Sequence, residues 1–509
     1  MKKLIAIALG MSAASAMADV TLDGPTFITS NTTVSEKVTG NGYYVVQNGA
    51  KLTLSNAEND FTGGVICSNG VVQADAQGAL GTGDVYLSYG ASASAANHAQ
   101  VVFNADGATF ANRIFKTGKG FPESYPDICT TQPNVTLSGK ISHICENQTT
   151  SDYLIISSGS AGRVIADETR GFPLTITGDI EMTQARIVFY AFKKNSSAPW
   201  TDITLKGKVT AYSIFSGWAS NHQGRLYLYN PANELKAFSM KLFEVHLMDT
   251  NVIRNAAING CGSGQNVGAE NALMHMHGHD QIVGTLSGEG DAAVDSSTWT
   301  GKTVGFYSQT PATVTIVGPS SDFTHMTLIG QVNLKIAYPD DRLDCGQYFK
   351  RRWSSTTGNI DVESGRLRLL PGQVKNPSSQ YVGDSSSARF PNVTNLTVAA
   401  KGVVELSAVT NSFSALRNMQ LDGKFQVELN TANDIFGPHT TVRIGETGVF
   451  YVSRGVTNTI EKLYVNGVRM PAGIYTKDNL PLMKHPTSES SYTGALEVLK
   501  GGGMVMLLR

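Results

Sequence analysis

A run of short, glycine-punctuated strands most limits what this chain can fold into. It extends from Asn59 to Gly90: N-D-F-T-G-G-V-I-C-S-N-G-V-V-Q-A-D-A-Q-G-A-L-G-T-G-D-V-Y-L-S-Y-G. Val65, Cys67, Val71, Val72, Val85 and Leu87 supply its apolar or β-favouring positions. Gly63, Gly64, Gly70, Gly78, Gly81 and Gly83 punctuate them. The stretch reads as one repeat unit of an all-β solenoid, with Asn59, Phe61, Gly63, Gly64, Gly78, Gly81 and Gly83 as its defining residues.

A compact signature recurs downstream. Val135–Ile141 (V-T-L-S-G-K-I), Leu174–Ile180 (L-T-I-T-G-D-I), Ile203–Val209 (I-T-L-K-G-K-V) and Met419–Phe425 (M-Q-L-D-G-K-F) share it. Each alternates apolar and polar residues, so one face points inward. The central glycine is expected where a side chain would clash. Gly139, Gly178 and Gly207 lie 39 and 29 residues apart, which suits one or two coils with variable loops. The Asn59-Asp60-Phe61 opening is echoed at Asn233-Glu234-Leu235 and Ser321-Asp322-Phe323. An Asn or Asp there is expected at a coil corner, bonding local backbone and tolerating left-handed geometry. Pro371 to Phe390 reads as a surface loop, and no long amphipathic helix stands out.

Export is expected from the N-terminus. Lys2 and Lys3 precede an apolar Leu4–Met11 segment, and Ala16-Met17-Ala18 matches the small-x-small cleavage rule. Residues 1–18 are therefore read as a signal peptide, residues 19–425 as the β-helix and residues 426–509 as a C-terminal β cap. No later segment has the ~20 apolar residues of a membrane helix. The expected address is secreted, cell-surface or periplasmic. Charged residues are 16% of the chain and the net charge is −1, which excludes long-range attraction to nucleic acid or an anionic membrane. Cys67, Cys129, Cys145, Cys261 and Cys345 are too few and too irregular for a disulfide framework, although Cys129 and Cys145 are close enough in sequence to bridge.

The C-terminal part differs. Leu463-Tyr464-Val465, Asn466-Gly467 and Val468-Arg469-Met470 carry a strong hairpin signal. An antiparallel piece of this kind suits the open end of a solenoid.

Asn59–Leu87 resembles the autotransporter-associated β-strand repeat. His279–Gly290 (H-D-Q-I-V-G-T-L-S-G-E-G) and Leu463–Thr476 (L-Y-V-N-G-V-R-M-P-A-G-I-Y-T) are similar to segments of such exported proteins. The resemblance implies a right-handed parallel β-helix passenger, and it carries no catalytic residues. The C-terminal part is too short for the ~12-stranded membrane barrel of a true autotransporter, so the reading is passenger-like without its own translocator.

Parallel β-helices also host polysaccharide lyases and hydrolases, so acidic clusters count. Asp340-Asp341-Arg342-Leu343-Asp344, followed by Lys350, Arg351, Arg352 and Trp353, is the densest, but it lacks mechanism-specific spacing and reads first as a solvated loop. Trp200, Trp218, Trp299 and Trp353 are candidate sugar-stacking residues or, more simply, core. His275-Met276-His277-Gly278-His279-Asp280 is the candidate metal tract. Alternation on a strand would align His275, His277 and His279 on one face for Zn²⁺ or Cu²⁺, whereas the plainer alternative is a polar strand entering a turn. The overall expectation is a non-catalytic, cofactor-free display or adhesion protein meeting a glycan or surface protein. The alternative is a polysaccharide-active enzyme on the same scaffold.

Overall fold

In a computed structural model, the described residues are 19–88, 98–117, 126–144, 149, 152–159, 171–191, 201–216, 224–240, 243–260, 273–288, 302–318, 324–345, 356–369, 371–375, 381–387, 390–406, 412–427, 435–453, 455–484 and 494–500. Among them the chain is all-β, without a helix. Two compact units divide it, Met1–Lys236 and Ala237–Arg509.

Short strands of the first unit pair in parallel with the strand one coil away. One inward column runs Tyr44, Val65, Val85, Ile114, Ile141, Ile180 and Val209, each the direct partner of the next. A second runs Leu52, Val72, Val101, Ile128, Ile156 and Phe189. A third runs Phe110, Leu137, Ile176, Leu205 and Leu228. All of these side chains are buried. Strands of three residues bury little individually; each is held because its apolar side chains sit on those of the neighbouring rungs. Thr136, Thr175, Thr204 and Tyr227 occupy the intervening outward row of the third column.

The recurring signature thus stacks in register, and its glycine has a specific cause. A Cβ on Gly178 would collide with the Gly139 carbonyl, one on Gly207 with the Gly178 carbonyl, and one on Gly139 with the Asn112 carbonyl. Four successive coils meet at one tight corner where backbone rests on backbone.

The opening repeat obeys the same rule. Phe61 is fully buried and meets Tyr44 edge-on, with ring centroids 5.7 Å apart. Gly64, Gly78 and Gly81 have positive φ, and Gly63 and Gly83 have no room for a Cβ. Asn59 differs from expectation. It bonds not local backbone but two other coils: its Oδ1 accepts the Val38 N–H at 2.8 Å and its Nδ2 donates to the Ala79 carbonyl at 2.7 Å. The side chain is buried, so local Asx turns lose to cross-coil bonding. Asn233, the echo, likewise accepts the Val209 N–H at 2.8 Å.

In the second unit a column runs Val314, Leu334, Ile360, Leu396, Met419, Val442 and Leu463. Another runs Leu367, Val404, Phe425, Phe450 and Met483. The Asn466-Gly467 hairpin forms as expected, both residues at positive φ and Tyr464 opposite Arg469. Gly473–Tyr475 pairs antiparallel with Ala495–Val498, while parallel pairing continues to Lys484. The stretch read as a loop from Pro371 contains an antiparallel pair, Pro371–Lys375 with Tyr381–Ser387. Its Ser/Gly/Pro composition hid this, because backbone pairing does not need apolar side chains. Among the described residues no helix is long and apolar enough to cross a membrane.

Candidate metal centre

Two neighbouring rungs and the turn after the second build the site. Strand Phe243–Leu247 buries Val245 and Leu247 and turns Glu244 and His246 to its other face. One coil later, Leu273–His275 pairs with it, setting Met274 against Val245 and His275 against His246. Lys302–Ile316 adds the next rung, with Phe306 against Met274 and Tyr307 against His275. Val245, Met274 and Phe306 form the apolar inward column, and His246, His275 and Tyr307 the column beside it.

The rings follow that register. His246 and His275 stack with centroids 4.5 Å apart, and the Tyr307 ring meets His275 edge-on at 5.1 Å. The strand stops at His275, so strict alternation does not carry on through the tract. Met276 is buried, and His277 takes a positive φ of 52° at the start of the turn. That turn folds the His277 ring back over the preceding coil, where its Nε2 lies 2.8 Å from Nδ1 of His246. Glu244 Oε2 lies 3.6 Å from His246 Nε2.

One ligand atom each from Glu244, His246 and His275 falls within 4.8 Å of the others. His275 Nε2 is buried with no hydrogen-bond partner. Burial above all, and then the neighbouring His246, push the His275 pKa down to about 4. The same two causes, with His279, depress that of His277. Both rings are thus neutral near pH 7, the form in which imidazole offers a lone pair. Two imidazoles and a carboxylate form a borderline donor set suited to Zn²⁺, Cu²⁺ or Ni²⁺, and His277 bonds to His246 beside them.

Of the sequence-derived triad, His275 is in the ligand group and His277 reaches it through its bond to His246. His279 acts electrostatically on His277, and its N–H is held by the Met276 carbonyl at 2.8 Å. The missed members are Glu244 and His246, whose E-x-H spacing on a strand is the available signal once Val245 is aligned with Met274.

Other candidates fare differently. Asp340–Asp344 belongs to strand Thr324–Cys345, with Arg342 opposite Arg366 and Asp344 opposite Arg368; its side chains lie outside the described residues. Lys350, Arg351, Arg352 and the four tryptophans lie outside them too, as do residues 1–18, Cys145 and Cys261. Cys67 is buried, its Sγ 3.2 Å from the Gly70 carbonyl, and burial pushes its thiol pKa up to about 12. Cys129 Sγ lies 3.6 Å from the Thr130 carbonyl. Comparison of the chain with protein-family models, curated proteins and solved structures finds no match.

Proposed function

We propose that this chain is an exported, non-catalytic β-solenoid for surface display or adhesion, right-handed like the passengers its opening repeat resembles, with the C-terminal antiparallel strands as its cap. The observation that carries the reading is the outward row of cross-coil ladders. Tyr86 stacks on Phe115 at 5.1 Å, with the Arg113 guanidinium 5.4 Å from the Phe115 ring and bidentate on Asp84. Arg225 clamps Asp202 on the next rung at 2.7 and 3.0 Å. Lys140 pairs with Glu181 and Lys208 with Glu234. Rows of this kind present regular faces that suit contact with a glycan or a surface protein. Incubating the purified protein with a pectin and glycan panel tests the reading: binding without new reducing ends or unsaturated products is expected, and repeated cleavage would move the function to the polysaccharide-active alternative.

The histidine cluster favours a second reading, a divalent transition-metal site on this scaffold. Zn²⁺ titration by calorimetry, with bound metal counted after dialysis, is expected to give one site. His246→Ala is expected to abolish it and His279→Ala to spare it; the reverse pattern would restore the sequence-derived triad.

A further inference from the structure

Lys116 ends strand Ile114–Lys116 and is completely buried. Its Nζ lies 2.6 Å from Oδ2 of Asp127, also completely buried. The same Oδ2 accepts the Ile155 N–H at 2.7 Å. A third ionisable group, Asp152, is equally buried and acts electrostatically on Lys116. Its Oδ2 accepts the Thr149 N–H at 2.8 Å, and its Oδ1 is buried with no hydrogen-bond partner. His143, also buried, is the cross-strand neighbour of Lys116.

A buried ammonium–carboxylate pair is costly in a low dielectric. Burial drives the Lys116 pKa down, against the pull of Asp127 and Asp152. Moving the ammonium proton to Asp127 turns the pair into a neutral amine beside a carboxylic acid, the reactants for an amide. The Ile155 N–H and Lys116 Nζ meet the same oxygen, so the transferred proton makes Oδ2 the hydroxyl that departs, held by the Ile155 N–H, and leaves Oδ1 as the carbonyl oxygen. One carboxyl is in contact with the amine, and a second buried carboxyl, Asp152, acts on it electrostatically.

We propose that Lys116 and Asp127 condense into an intramolecular amide, with Asp152 relaying the proton. Lys116 Nζ attacks Cγ of protonated Asp127, and the N–C bond forms. Asp152 takes the proton shed by nitrogen and passes it to the departing hydroxyl. The C–OH bond breaks and one water leaves; amine plus acid equals amide plus water, so no oxidant or co-reactant is needed. The product replaces two buried charges by a neutral link and staples strand Ile114–Lys116 to the start of strand Ile128–Thr130.

Tryptic peptide mapping of the denatured full chain tests this. The expected result is a branched peptide joining the Lys116 and Asp127 segments, lighter than their sum by one water, with no cleavage after Lys116. Separate peptides at full mass, cleaved after Lys116, would overturn it. Lys116→Met is expected to remove the link; a water deficit that persists there would also overturn the assignment. Asp152→Ala is expected to leave the pair unlinked with an unchanged circular dichroism spectrum, and a fully linked Asp152→Ala protein would remove Asp152 from the reaction. Should either variant fail to fold, the unaltered chain's peptide map decides the bond by itself.

Discussion

Asn59 in the first unit and His275 in the second are placed by the same rule. Each is a polar residue brought against neighbouring coils by the stacking of the chain, and the two come out differently. Asn59 spends its oxygen and its nitrogen on the backbone of two other coils. His275 stacks on His246, meets Tyr307 and keeps its Nε2 without a hydrogen-bond partner. Backbone partners are present at every coil, so a side chain that reaches them becomes structural glue. A side chain stacked on other side chains keeps a lone pair for chemistry. Register alone does not separate glue from site; what separates them is whether main-chain groups lie within reach.

The sharpest way to break this comparison is Asn59→Leu. It strands a buried N–H on Val38 and a buried carbonyl on Ala79, and the expected loss is roughly 4 kcal/mol of unfolding free energy in urea titrations, from two unsatisfied groups. A loss below about 1 kcal/mol would mean that water satisfies both, and Asn59 would no longer count as glue.

Gly178→Ala examines the corner where no side chain fits at all. Its Cβ would meet the Gly139 carbonyl, part of the main chain and unable to rotate away. A destabilisation of about 2 kcal/mol is expected from the enforced widening. Gly455→Ala controls for backbone conformation, since Gly455 has positive φ but open space around it.

The histidine side is sharpened by pH. In metal-free buffer the unfolded chain takes up a proton near pH 6.5 that folded His275 refuses until about 4. Stability is therefore full above about 6.5, falls as the pH drops through that window and levels below it. Solvent reaches this half-buried ring, so the effect is about 1 kcal/mol. Urea midpoints measured across the window are expected to slope less in His275→Gln, with His277 supplying the remaining slope in the same direction. An unchanged slope would place the titrating group elsewhere.

Alternation and glycine punctuation were enough to read the strands, their inward faces and the hairpin at Asn466-Gly467, because these depend on residues adjacent in the chain. The recurring signature also marked rungs that do stack, since a repeated pattern repeats its partners. The Pro371–Lys375 pairing escaped because it carries no alternating apolar signal. His277 escaped the strand because Gly278 opens a turn that period-two counting ignores.

By itself the sequence determined an all-β chain of short rungs, and the glycine corners at 139, 178 and 207, because bulk and periodicity are local properties. Only the tertiary structure decided which rung lies on which. That decision gave Asn59 its two coil-bridging bonds, brought Glu244 and His246 to His275, and closed Lys116 on Asp127. Coil lengths vary, so the offset between partners is set by packing, and a one-residue change in register turns an inward side chain outward.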